Sequence, residues 1–286
     1  MGESAQWSRF DDGRHALDLL TASYRRHQFT RHSHVTYAIG VVTRGVEQFH
    51  YRGELRRSGV GSLAILEPDE PHDGMAARPD GWAYRVLYPS PGMLFDGLGD
   101  ARRHAVGFRD PVVTDPRSVH LVRSAHEELT AGRDPLAAHS RLVWAFEAVV
   151  ARHGSPRPVD PGIRASDPAA ARKVAEIRER LLADLRRPPS LRELAAGVEL
   201  SPFHMLRVFR AATGFPPHAW LVLERVCCAR ALLAAGRTPA EVSATTGFAD
   251  QAHLTRWFKR VIGVTPAAFR NSVQDATRRP AVESQA

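Results

Sequence analysis

The C-terminal third of the chain contains an internal repeat, which constrains the possible folds more than any other feature. Residues 201–220 (SPFHMLRVFRAATGFPPHAW) align without a gap with residues 250–269 (DQAHLTRWFKRVIGVTPAAF), a shift of 49 residues. The identical pairs include His204 with His253, Arg207 with Arg256, Phe209 with Phe258, Gly214 with Gly263 and Pro217 with Pro266. Self-similarity at a fixed spacing marks a structural unit that is used twice. The segment therefore predicts two copies of one supersecondary unit.

Each copy has the pattern of a helix-turn-helix. A short helix is predicted at 191–197 in the first copy and at 239–246 in the second, each followed by a tight connection. Ser201 and Asp250 are placed to cap the start of a second helix, and Gly214 and Gly263 to end it. Two helices joined in this way form the unit that many proteins insert into the major groove of DNA.

The second helix of each copy is predicted to have one buried and one exposed face. Apolar residues recur at helical spacing, and the predicted buried stripes are Met205, Val208, Phe209 and Ala212 in the first copy and Leu254, Trp257, Phe258 and Val261 in the second. The opposite faces carry Phe203, Leu206, Arg207 and Arg210 in the first copy and Gln251, Ala252, Thr255, Arg256 and Lys259 in the second. Arginine and glutamine can hydrogen-bond to base edges, and Ala, Thr and Leu can contact a thymine methyl group.

Charge and spacing also indicate double-stranded DNA as the partner. Residues 1–167 hold 21 basic and 21 acidic residues, whereas residues 168–286 hold 18 basic and 10 acidic residues, so the whole net charge of +8 lies in the C-terminal part. A basic surplus favours binding to a polyanion. The stretch 217–235 predicts a connecting helix about 28 Å long, close to the roughly 34 Å that separates successive major-groove faces.

The segment from about 170 to 270 resembles the DNA-binding domain of the AraC family of bacterial regulators, most specifically in GFADQAHLTRWFKRVIGVTPAAFR (247–270). The resemblance implies that base contacts fall on Phe203, Leu206 and Arg207 in the first unit and on Gln251, Ala252, Thr255 and Arg256 in the second. It also implies RNA polymerase as a partner, activation of transcription and control by a small-molecule effector. Phosphate contacts by the arginines remain the alternative to base contacts.

The part of the chain before the repeat predicts a separate sensor domain. Short β-like runs at 35–43, 46–53 and 61–68 are separated by turn residues, and apolar residues then recur at helical spacing from 116 to 152. We expect a mainly-β barrel over about 10–113 and a helical hairpin over about 116–152, which together form a domain at 1–152. A Pro-rich and Gly-rich linker is expected at 153–168, an all-α domain with two helix-turn-helix units joined by a long helix at 169–271, and a disordered tail at 272–286.

The front domain resembles a cupin barrel in the segments FTRHSH and EPDEPH. Cupin enzymes hold a metal with an H-x-H pair, a nearby glutamate and a later histidine. His32, His34 and His72 match three of these ligands, but residues 35–39 contain no glutamate. We therefore expect no metal, no cofactor and no enzymatic activity. The residues expected to orient a small ligand are Arg31, His32, His34, Tyr37 and His72.

The sequence leaves two other functions open. One is a cupin-type metal-dependent enzyme or metal sensor fused to a DNA-binding domain, and the other is an architectural DNA-binding protein that needs no ligand. The hairpin at 116–152 offers an amphipathic surface through which a homodimer could form. The sequence shows neither a signal-peptide core nor a membrane-spanning run, which predicts a cytoplasmic protein without a membrane partner.

Overall fold

The computed structural model describes residues 3–95, 106–132, 134–156 and 168–278. The chain divides into two compact units, one formed by residues 1–158 with 268–286 and the other by residues 159–267. The first unit is β-rich and the second is helical. This division agrees with the predicted fold class of a mainly-β domain followed by an all-α domain.

The first unit is built from eleven strands in its described residues. The strands are β1 (Ser4–Asp11), β2 (Ala16–Tyr24), β3 (Phe29–His32), β4 (Ala38–Tyr51), β5 (Glu54–Gly59), β6 (Leu63–Leu66), β7 (His72–Ala76), β8 (Trp82–Tyr88), β9 (Val106–Phe108), β10 (Val112–Val113) and β11 (Gly154–Pro156). One sheet has the order β1-β2-β8-β4-β6-β10, a second joins β3, β7, β4 and β5, and β11 pairs with β9. All of these pairings are antiparallel.

Strand β4 connects the two larger sheets. The runs predicted as two strands at 35–43 and 46–53 form one strand of 14 residues. The pairing of β4 with β8 changes register between Val42 and Arg44, next to Gly45, which has φ +70°. A Cβ atom at Gly45 would lie only 2.0 Å from the Gly81 carbonyl oxygen, so this crossing requires glycine. The bend allows the second half of β4 to leave the first sheet and pair with β5 and β7.

The β-rich unit is rich in sheet, as predicted, but among its described residues the sheet is not closed into a barrel. Within the part of the chain that the structure describes, β1 pairs only with β2 and β10 only with β6, so the edges of the sheet do not meet. The two sheets instead share β4 and face each other, with Tyr24 of the first sheet 5.4 Å from Phe29 of the second. The reason is that alternating polarity specifies which face of a strand is buried but not whether the last strand pairs with the first.

The predicted helical hairpin covers the outer face of the first sheet. Helix α1 (Pro91–Leu94) precedes it, and α2 (Pro116–Ala131) and α3 (Pro135–His153) form the hairpin. Asp115 caps α2 and Asp134 caps α3, each followed by proline at the first helical position. Apolar residues of β2, β4, β6 and β8 pack with those of α2 and α3 in one core, which includes Leu19, Ile39, Val41, Leu63, Ile65, Leu87, Val122, Leu142 and Phe146.

The helices that follow are α4 (Pro168–Ala183), α5 (Leu191–Gly197), α6 (Pro202–Thr213), α7 (Pro217–Ala234), α8 (Pro239–Thr246), α9 (Gln251–Ile262) and α10 (Pro266–Arg278). The short helices α5 and α8 each begin with a capping box, Ser190 with Glu193 and Thr238 with Glu241. In such a box the serine or threonine binds the backbone N–H of the third helical residue, and the glutamate binds the backbone N–H of the cap. The predicted helices at 191–197 and 239–246 are thus confirmed.

Two predicted irregular segments contain regular structure. The expected linker at 153–168 includes β11 at Gly154–Pro156, because backbone groups of these residues pair with β9; residues 157–167 lie outside the described residues. The expected disordered tail at 272–286 begins inside α10, which continues to Arg278, and residues 279–286 lie outside the described residues. In the ranges described above, no helix is long and apolar enough to cross a membrane.

Candidate functional site

Helices α6 and α9 have the same length and the same ends, as the repeat requires. Each has 12 residues. The Ser201 side chain accepts a hydrogen bond from the His204 backbone N–H at the start of α6, and Asp250 accepts one from the His253 backbone N–H at the start of α9. Each helix ends at a left-handed glycine, Gly214 at φ 76° and Gly263 at φ 86°. The matched histidines thus donate the backbone N–H that the cap binds.

The buried face of each helix is narrower than the sequence predicts. Met205 and Phe209 of α6, and Leu254 and Phe258 of α9, are fully buried. Ala212, predicted to be buried, is exposed. Trp257 is only half-buried, and the Arg260 guanidinium lies over its ring at 5.6 Å.

The predicted DNA-facing residues lie opposite these buried stripes. Seven of the nine are exposed, namely Phe203, Arg207, Arg210, Gln251, Ala252, Arg256 and Lys259, and Leu206 and Thr255 are half-buried. Phe203 keeps 79% of its surface exposed, which is unusual for a large aromatic side chain. The Thr255 hydroxyl donates to the Gln251 backbone carbonyl at 2.8 Å, so its methyl group is the part left for an outward contact. Each helix thus presents arginines beside apolar groups.

A buried arginine anchors the connection that precedes the first helix-turn-helix. Arg225 of α7 donates two hydrogen bonds to the Leu185 carbonyl oxygen, at 2.9 and 2.6 Å. Gly247, at the end of α8, packs against the same carbonyl: a Cβ atom there would lie 2.3 Å from the oxygen. The α7 helix, 18 residues and about 27 Å long, therefore fixes elements of both repeats within one unit.

The three histidines predicted to line the ligand site come together in the first unit. The ring centroids of His32 and His72 are 4.4 Å apart, those of His34 and His72 4.9 Å, and those of His32 and His34 6.1 Å. Each Nδ1 lies 2.6–2.9 Å from a backbone carbonyl oxygen, of Thr30, Thr36 and Glu70 for His32, His34 and His72. A carbonyl can only accept, so each Nδ1 carries a proton, and in a neutral ring Nε2 is then left as an acceptor.

Burial keeps two of these histidines neutral. It lowers the pKa of His32, and it lowers the pKa of His72 well below its usual value, with the nearby His32 and His34 acting in the same direction. A neutral imidazole is a suitable ligand for a metal. In the described part of the chain, however, no group of three or more His, Cys, Asp or Glu side chains is arranged to hold a metal ion.

The structure does not bring the other two predicted ligand residues into this cluster. Tyr37 is buried in the apolar core beneath the hairpin, where its ring packs edge-on against Phe95 and Phe108. Arg31 is exposed on β3, the strand that carries His32 on its buried side. In place of Tyr37, Tyr88 lies beside His34, with ring centroids 5.6 Å apart.

The sequence patterns described above do not single out one residue of this region. Glu47 lies on the half of β4 that pairs with β5 and β7, and burial alone raises its pKa to about 8. A single glutamate near Arg44, Gln48 and His50 is typical of a strand residue that faces solvent. Glu47 points inward because it shares a face of β4 with the buried Phe49 and Tyr51.

The comparisons with known proteins agree with both units. Residues 14–146 match the model of the AraC-like ligand binding domain, and residues 194–272 match a helix-turn-helix domain model. The chain is 31% identical over 156 residues to the HTH-type transcriptional regulator RipA of Corynebacterium glutamicum, which covers 54% of this chain and 44% of that protein. It is 27% identical over 268 residues to the MmsAB operon regulatory protein of Pseudomonas aeruginosa, and this alignment covers 88% of this chain and 81% of that protein. The chain thus spans less than half the length of RipA.

A solved structure supports the fold of the whole chain. Apo ToxT K231A from Vibrio cholerae covers 90% of this chain and 97% of its own length, with a TM-score of 0.59 and 13% identity. Taken together, the two units define a DNA-binding protein that has a ligand-binding domain as well as a paired helix-turn-helix domain. The chain belongs to the AraC family of transcription regulators.

Proposed function

We propose that this protein is a sequence-specific transcription activator, in which the β-rich unit binds a small-molecule effector and α6 and α9 read DNA. The observation that carries the proposal is the match between these two helices. Their caps and ends are equivalent, and they present arginines at equivalent exposed positions, 207 and 256. A protein that contacted DNA through only one helix would not need a second helix with the same caps, the same ends and an exposed arginine at the equivalent position.

The same helices support base contacts as well as phosphate contacts. Arg207 and Arg256 are each the sixth residue of a 12-residue helix, so they lie in the N-terminal half, which contacts base edges when such a helix lies in the major groove. Arg210 and Lys259 lie one turn further along the same faces. A good bidentate contact between arginine and guanine is worth about 1–3 kcal/mol of discrimination.

No catalytic step is part of the proposal. The relatives named above are regulators, and the two neutral histidines, His32 and His72, can serve as acceptors in a ligand site. RNA polymerase is the partner that an activator would recruit.

A homodimer through the hairpin is supported by the exposed apolar residues of α3. Leu136 keeps 77% and Trp144 62% of its surface exposed, and Val143 is also exposed. Large apolar side chains that stay exposed together on one helix favour a protein contact. Sedimentation of the full chain should show a dimer that dissociates more readily in Trp144→Glu, and a wild-type monomer at all concentrations would rule this contact out.

Selection of bound sequences from a random DNA pool with the full chain tests the main proposal. Two insertions on one side of the duplex predict a motif with two half-elements about one helical turn apart. The expected result is such a motif, with affinity that falls steeply as salt rises. Recovery of no motif, with salt-dependent binding of all sequences alike, would instead indicate an architectural DNA-binding protein.

A further inference from the structure

Glu47 points into the space between the two sheets of the first unit. Phe49 and Tyr51, two and four residues further along β4 and so on the same face, are fully buried, whereas His50 is exposed. On the neighbouring strand β7, Gly74 leaves room for the glutamate. A Cβ atom at Gly74 would lie 3.2 Å from Glu47 Oε1 and 3.4 Å from Phe29 Cδ2.

The carboxyl group of Glu47 makes no hydrogen bond or ion pair with any residue in the described ranges. Its environment is almost completely enclosed by protein, yet the residue keeps part of its surface accessible. Buried carboxyl groups are normally paired, because desolvation without a partner is costly. The protein surrounds this carboxyl group but supplies no partner for it, and part of the residue can still be reached. A ligand would therefore supply the missing partner.

Aromatic side chains surround this space, from β2 and β8 of the first sheet and from β3 of the second. The ring of Tyr24 lies 5.4 Å from Phe29, 5.3 Å from Trp82 and 6.3 Å from Tyr84. Burial raises the pKa of both tyrosines, and the nearby Glu47 carboxylate acts in the same direction. The Tyr24 hydroxyl is itself buried and has no hydrogen-bond partner in the described part of the chain.

The chemistry of these groups favours a cation. Aromatic faces attract a cation placed over them, and a carboxylate pairs with an ammonium group. The acceptors nearby on β3 and β7 are the Nε2 atoms of neutral histidines, His32 and His72, which can receive a hydrogen bond from N–H. A neutral alcohol could occupy the same volume but would not ionise Glu47.

We propose that the space between the sheets, bounded by Glu47, Tyr24, Phe29 and Tyr84, binds the ammonium group of a small organic amine. This inference rests on the proposed function, because it names the chemical class of the effector that the β-rich unit would sense. No bond is made or broken. The amine enters with its positive charge, Glu47 gives up its proton to solvent, and the two charges pair inside the unit.

Titration calorimetry of the full chain with short alkylamines tests the proposal. The probes are n-propylamine, n-butylamine and n-pentylamine, with the three alcohols of equal length as neutral comparators. At least one amine should bind about tenfold or more tightly than its alcohol, in keeping with a hydrogen-bonded charge pair. Because burial raises the pKa of Glu47 to about 8, titrations at neutral pH in two buffers of different ionisation enthalpy should show nearly one proton released per amine bound.

Two variants and a control locate the binding. Glu47→Gln keeps the shape of the side chain and should weaken amine binding at least about tenfold and abolish proton release. Gly74→Ala should disfavour the longer amines most, since its methyl group narrows the space beside Oε1. Glu54→Gln, on exposed β5, should bind amines as the wild type does. Thermal melting of each variant establishes that it is folded.

Several results would overturn the inference: no amine binding at millimolar concentration, equal binding of amines and alcohols, or unchanged amine binding by Glu47→Gln. Selective DNA binding is measured on the same preparations. If the chain selects a DNA motif but does not bind amines as expected, only this inference is refuted. If the chain selects no DNA motif, the proposed function is refuted.

Discussion

At the scale of single residues, Gly247 shows how a position can depend on contacts that are distant in sequence. It ends α8 in the left-handed region, at φ 80°. A Cβ atom there would approach the Leu185 carbonyl oxygen to 2.3 Å and the Arg186 Cα to 2.8 Å. The same carbonyl is held by Arg225, so it cannot shift without breaking two hydrogen bonds.

Gly247→Ala should therefore destabilise the second unit by more than the roughly 1–2 kcal/mol of left-handed strain alone. Urea unfolding measures the change. The matched control is Gly132→Ala, at the end of α2, where φ is 61° and nothing lies within 4 Å of the added methyl group. If both substitutions cost the same free energy of unfolding, the contact with Leu185 contributes nothing.

At the scale of elements, the N-caps of α6 and α9 set where each DNA-facing helix begins. Asp250→Ala removes the acceptor for the His253 N–H and should cost about 1 kcal/mol of unfolding free energy, within the 0.5–2 kcal/mol range of cap deletions. Asp250→Asn keeps an acceptor oxygen and should retain most of the stability. Chemical denaturation of the three proteins decides this point, and equal stability of Asp250→Ala and wild type would contradict the cap.

Most of the second unit can be predicted from sequence because its signals are local. The caps, the glycine ends and the helical spacing all lie within a few residues of the elements they define, and α5, α6, α8 and α9 follow from them. The exposure of Ala212 and the partial burial of Trp257 could not be predicted, because they depend on which neighbouring helix covers each position.

The first unit follows less completely from sequence because its sheets depend on distant pairing. The bend at Gly45 lies within one strand where the sequence predicted two, and it depends on the close approach of Gly81. Similarly, the register shift between Phe29 and His32 brings His32 opposite His72. Tyr37 has the residue type of a ligand contact, but packing beneath the hairpin places it in the core.

At the scale of the whole molecule, buried histidines should make the first unit sensitive to acid. Burial lowers the pKa of His126 to about 4, with Arg85 acting in the same direction, and its Nε2 lies 3.1 Å from the Leu20 carbonyl oxygen. The folded state thus resists protonation, whereas the unfolded chain takes up a proton near pH 6.5. The contribution is fully present above pH 6.5 and falls as pH decreases toward 4, by up to about 3 kcal/mol.

Unfolding of the full chain between pH 7.5 and pH 4 measures this dependence. His126→Gln should flatten the loss of stability with acid, although His32 and His72 contribute in the same direction. His120→Gln, on the exposed side of the same helix, should leave the wild-type dependence unchanged. A His126→Gln profile parallel to that of the wild type would refute the role of His126.

The central claim is that both helices of the repeat read bases, and Arg256→Ala tests it most directly. Affinity for the selected motif and for its single-base variants is measured over a range of salt for wild type, Arg207→Ala and Arg256→Ala. Arg260→Ala, whose guanidinium lies over Trp257, serves as the control. We predict that each of the first two substitutions relaxes preference at particular base pairs, in different half-elements, by about 1–3 kcal/mol. Uniform weakening across all sequences with a shallower salt dependence would show that these arginines contact phosphate only.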